Sequence, residues 1–111
     1  MTLFDLLIVG HLIGDFILQN RWMAEGKVNA WTPLLVHSAV YTGVIALVAL
    51  LAGGISLQGI MIIFLAHVLQ DRRVIVRFWA EKVTQGSEVP WLMIMLDQSW
   101  HVVFLAIATL V

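Results

Sequence analysis

An all-α fold, a four-helix transmembrane bundle with both termini on the outer side, follows from three features of this 111-residue chain. Its composition is 61% hydrophobic and 12% charged, with a mean hydropathy of +0.97, whereas soluble domains carry about 25% charged residues. The apolar residues gather into four stretches, near 3–20, 33–52, 57–71 and 91–111. All six Lys and Arg residues lie outside those stretches, in two of the three connections. The length sets a single integral membrane domain over residues 1–111.

The first stretch opens with Thr2 and Asp5 at the spacing of a capping box, and Asp5 also suits the positive end of the helix dipole. In the second, Thr32 is the expected N-cap and Pro33 fits the first helical turn; the stretch ends at the Gly53-Gly54 pair. The third, Leu57 to Asp71, is short against the ~20 residues of a full span. An amphipathic continuation through VIVRFWAEKV is expected after it. The fourth opens at Pro90 and runs to Val111.

Charge sets the orientation. Arg21 and Lys27 follow the first stretch, and Arg72, Arg73, Arg77 and Lys82 follow the third. The positive-inside rule puts both connections in the cytoplasm, with the turn at Gly53 to Gln58 outside. Trp22, Trp31, Trp79 and Trp91 flank the basic connections as interfacial anchors do. The start shows neither the basic leader nor the small-residue cleavage site of a secretory signal. The net charge of -1 excludes nucleic acid as a partner, because phosphate binding needs an excess of cations. The absence of cysteine removes disulfides and thiolate ligands, so a bound metal would be held by nitrogen and oxygen.

The polar residues inside the stretches carry the functional signal. His11 and Asp15, His67 and Asp71, and Asp97 and His101 are each four residues apart, which puts each pair on one helix face. His37 is the fourth histidine. At a rise of ~1.5 Å per residue, these groups fall at overlapping depths in the cytoplasmic half of the membrane. An ionised Asp near mid-membrane costs about 2.5–3.5 kcal/mol, so these side chains must face the interior of the bundle or a water-filled cavity.

Three classes of function meet that requirement. The first is a metal site built from His11, Asp15, His37, His67, Asp71, Asp97 and His101, with Gln19, Gln70 and Gln98 orienting the ligands. Mixed imidazole and carboxylate donors suit zinc, manganese or iron. An open position would support hydrolysis of a lipid or amphiphilic ester or phosphoester, with Arg72 and Arg73 holding an anionic group. The second class is non-enzymatic: a small subunit of a membrane complex whose His/Asp network is structural or ligates a tetrapyrrole. Separately, a homo-oligomer is an expected partner state, because four short helices bury little surface. The third is ion or proton translocation through intramembrane His and Asp groups. The outer half lacks the acidic and histidine residues that would complete such a route.

The run GHLIGDFILQNRWMAEGK, then LLVHSAVYT, FLAHVLQDRR and DQSWH, resembles a family of small bacterial multi-span membrane proteins of unknown function carrying His-x3-Asp motifs. The likeness covers essentially the whole chain and implies a protein of the bacterial cytoplasmic membrane. Its matching positions are His11, Asp15, Gln19, His37, His67, Asp71, Asp97 and His101. It implies no activity. A weaker likeness, of His-x-x-x-Asp spacing alone, is to membrane-bound metal-dependent hydrolases.

Overall fold

The computed structural model describes all 111 residues and is all-helical, 77% helix without strands. Helix α1 spans Leu3–Leu12, where Thr2 and Asp5 form the reciprocal capping box with contacts of 3.0 and 3.1 Å. It continues into a π-helical turn, Ile13–Ile17, closed by the Leu18 N–H donating to the Ile13 carbonyl at 2.9 Å. Asn20 then caps a short helix, α2, at Arg21–Gly26, by accepting from the Met23 N–H. In the sequence this segment belongs to the connection after the first apolar stretch.

Helix α3 spans Trp31–Ala49 and tightens into a 3₁₀ turn through Ala52, after which Gly53 (φ +92°) reverses the chain in a left-handed conformation suited to glycine. It starts at Trp31 with Ala30 in the cap position, so Thr32 is inside the helix and not its N-cap. Pro33 remains tolerable there because the first four N–H groups of a helix have no partner within it. Ser56 caps α4 (Leu57–Asp71) by accepting from Gly59 N–H. The expected amphipathic continuation is a separate helix, α5 (Val74–Lys82), because Arg73 takes a left-handed φ of 62° and breaks the chain direction. Neither glycine nor proline marks that break. Helix α6 runs from Pro90, at its first position, to Ala108 and stops three residues short of the end.

Helix α3 packs on α1, α2 and α4, while α6 packs on α4 and α5 and touches α1. Gly14 permits the α1–α3 approach: a Cβ there would lie 3.2 Å from the Tyr41 Cα. That closeness brings the π turn, and Asp15 with it, against the first half of α3. The apolar core of Leu7, Tyr41, Ile45 and Ala49 is completed by Ile63, Leu105 and Ala108, toward the Gly53 end of the helices.

Polarity is distributed unusually over the chain. All four histidines, Asp15 and Asp71 are buried, whereas Leu47, Leu51, Leu57, Leu65, Trp91 and Ile94 are more than half exposed. Two helices, Trp31–Ala52 with its 3₁₀ tail and Pro90–Ala108, are long and apolar enough to cross a membrane.

Candidate metal centre

Four elements deliver polar side chains to one point. The π turn supplies Asp15, α3 supplies His37, α4 supplies His67 and Asp71, and α6 supplies His101. All five are at most 2% exposed. One ligand atom from each of Asp15, His37, His67 and Asp71 lies within 4.8 Å of the others, so this buried cluster could hold a metal ion.

The three histidines turn the same ring atom toward the two carboxylates. His37 Nε2 is 2.9 Å from Asp15 Oδ1 and 3.1 Å from Asp71 Oδ2. His67 Nε2 is 3.4 and 3.5 Å from the same two oxygens. His101 Nε2 is 3.2 Å from Asp71 Oδ1 and 3.8 Å from Asp15 Oδ2. Adjacent donors on metal bonds of ~2.1 Å lie ~3.0–3.4 Å apart, which falls inside this spread.

The outer ring nitrogens of His101 and His67 bear on which form of those imidazoles is present, whereas His37 Nδ1 is buried without a partner. His101 Nδ1 donates to the Asp97 carbonyl at 2.7 Å, and a carbonyl can only accept. In neutral His101 the proton therefore sits on Nδ1, and the Nε2 lone pair faces Asp71. Two lone pairs at 3.2 Å need a cation or a proton between them. His67 Nδ1 is tied to Ser38 Oγ at 3.1 Å, leaving its Nε2 free for the carboxylates. Such partners on the far nitrogen are the usual means of orienting a metal-binding imidazole. Both oxygens of Asp71 and Nε2 of His101 are buried without an aligned hydrogen bond, despite their short contacts.

His11 and Asp97 stand outside this cluster. His11 spends Nδ1 on the Tyr41 hydroxyl and Nε2 on Gln98 Oε1, both at 2.8 Å. The π turn separates His11 from Asp15 in role, since Asp15 faces His37 and His67. Asp97 is 24% exposed in its side chain and sits 3.9 Å from His101 Nδ1. Gln98 Nε2 donates to Asp97 Oδ2 at 3.2 Å and so links it to His11. Gln19 donates to the Asp15 carbonyl, and Gln70 is buried with its Oε1 unpaired.

Two contributors were not singled out as site residues from the sequence. Lys27 Nζ reaches Asp71 Oδ2 at 3.3 Å from the connection after α2, and Ser38 braces His67. Ser38 adjoins His37 in sequence, on the buried stripe of α3 that includes Leu34, Tyr41 and Ile45, and that stripe was the available signal. For Lys27 there was none, because its reach depends on the fold of α2. The Arg72 guanidinium donates to the Val28 carbonyl at 2.7 Å and lies 4.3 Å over the Trp31 ring.

A cavity of about 180 Å³ adjoins the cluster. Its polar wall is Asp15, Gln19, Lys27, Arg73, Asp97 and Gln98, and Phe16, Val76, Met93 and Ile94 complete it.

A family described as "Protein of unknown function (DUF3307)" matches residues 3–111 of the chain. No curated protein and no solved structure matches it.

Proposed function

We propose, for a chain that belongs to the DUF3307 family, an integral membrane protein whose buried His/Asp cluster holds a divalent metal and hydrolyses an amphiphilic ester or phosphoester. The carrying observation is the convergence of three imidazole Nε2 atoms on the paired carboxylates of Asp15 and Asp71. In the proposed setting α1 with its π turn, α3, α4 and α6 form a four-helix transmembrane bundle, with the basic connections in the cytoplasm. Support comes from the inverted polarity, with histidines and aspartates inside and leucines outside. Such a surface suits hydrocarbon as solvent.

Asp15, His37, His67 and Asp71 would hold the ion, with His101 beside them. Nitrogen and oxygen donors of this kind suit zinc, manganese or iron. When bound, the ion would polarise an acyl or phosphoryl oxygen and make water more acidic. Asp97, partly exposed on the cavity wall, would take the proton of the attacking water. The water oxygen would bond to the acyl carbon or phosphorus, the bond to the alcohol oxygen would break, and the departing alkoxide would take up the proton held by Asp97. Gln98 holds Asp97 through its amide N–H.

The tetrapyrrole reading has less support, because His37, His67 and His101 direct Nε2 at carboxylates and His11 uses both nitrogens within the protein. The test is elemental analysis of the detergent-purified protein beside His67→Ala and Asp71→Asn variants. One divalent ion per chain in the parent, lost in both variants, is the expected result. A parent that takes up no zinc, manganese or iron on reloading refutes the metal centre.

A further inference from the structure

The cavity beside the cluster separates charge from hydrocarbon on its own walls. Lys27 is only 14% exposed and fixed against Asp71. Arg73 joins the lining from the left-handed turn between α4 and α5. Phe16 and Ile94, 53% and 62% exposed, form an apolar margin with Met93.

We infer that this cavity receives the headgroup of a phosphodiester amphiphile, with the phosphate held by Lys27 and Arg73 and the first methylenes of the chain against Phe16, Met93 and Ile94. The inference rests on the proposed metal centre for its count of charge. A divalent ion neutralises Asp15 and Asp71. Lys27 and Arg73, set against Asp97, then leave one positive charge on the wall. A phosphodiester carries one negative charge and balances it, whereas a carboxylic ester is neutral and does not. The guanidinium fork of Arg73 matches two phosphate oxygens, and Lys27 adds a point charge. Both cations belong to the basic connections, which lie at headgroup depth in the proposed orientation.

The test is native mass spectrometry of the metal-loaded protein in a neutral detergent, titrated with dodecyl methyl phosphate or dimethyl phosphate. The parent should bind one dodecyl methyl phosphate, at least about tenfold more tightly than dimethyl phosphate, which lacks the chain. Arg73→Gln, a change at an exposed turn, should weaken binding about tenfold or more with metal content unchanged, and Arg73→Lys should recover part of the loss. Lys27→Gln should weaken it as well. Equal binding by the parent and Arg73→Gln, with metal retained, overturns the headgroup pocket and leaves the metal centre standing. Equal affinity for the two phosphodiesters overturns the amphiphile and points to a soluble phosphodiester. Arg73-dependent binding by a protein that takes up no metal keeps a phosphate pocket, overturns the charge count argued for it, and refutes the metal centre.

Discussion

Replacing Ser38 by Ala separates a metal centre from a structural polar network. Ser38 is fully buried, and its Oγ lies 3.1 Å from His67 Nδ1. In the metal-free protein the substitution orphans that nitrogen, at a cost of about 1–3 kcal/mol. With metal, a second consequence appears, because partners that orient a ligating histidine are worth about 10–100-fold in metal affinity. At free metal about 100 times the parent's Kd, mass action stabilises the parent by about 2.7 kcal/mol. A tenfold weaker variant would gain about 1.4 kcal/mol, and a hundredfold weaker one about 0.4 kcal/mol, at the same metal concentration. The assay is reversible unfolding in detergent, with and without metal, comparing the metal-dependent increment in the two proteins. An increment equal in parent and variant would show that Ser38 does not act through a metal-bound His67.

Other substitutions test separate parts of the structure. His11→Ala should keep the full metal content, because neither ring nitrogen faces the cluster; orphaning the Tyr41 hydroxyl and Gln98 should instead lower unfolding stability by about 1–3 kcal/mol. Loss of the ion in that variant would place His11 among the ligands after all. Gly26→Ala would bring a Cβ within 2.5 Å of Pro33 Cγ, so thermal unfolding should report a loss of about 1–3 kcal/mol as α2 is pushed off α3. The chain has no cysteine, so single cysteines at Gln58 and Ser87 can be labelled cleanly in membrane vesicles. They should react with a membrane-impermeant reagent from opposite sides, and labelling from one side removes the proposed topology.

Helix positions were legible in the sequence where apolar runs and caps coincide. The Thr2–Asp5 box, the Gly53 turn and Pro90 all mark observed ends. The α4–α5 break was not legible, because it depends on Arg73 adopting a conformation that glycine usually signals. The π turn was equally silent, and it matters most for the site. Four-residue spacing groups two residues correctly only while the helix keeps its 3.6-residue turn. On α4 that condition holds, and His67 meets Asp71 at 3.5 Å. Between His11 and Asp15 the helix widens, and the two side chains join different partners. On α6 the spacing holds, yet His101 Nδ1 bonds the Asp97 carbonyl and turns its other nitrogen inward.

The charge of the cluster explains why a divalent ion suits it better than hydrogen bonds alone. Asp15 and Asp71 offer ligand oxygens within 4.8 Å of each other, and both residues are buried. Two such anions repel by roughly 3.5 kcal/mol at an effective dielectric of about 20, before the cost of removing each from water. In the metal-free protein Lys27 offsets one of them and touches only Asp71. The second negative charge must be met by a protonated imidazole or by a metal. A protonated histidine places its new proton on one nitrogen, whereas all three Nε2 atoms and both carboxylates surround the same small volume. A cation at that volume satisfies the five groups together and meets the lone pair that the Asp97 carbonyl fixes on neutral His101. The Ser38→Ala comparison is decisive for this reason: a proton held in the network leaves the variant's response to added metal equal to the parent's, and a shared ion does not.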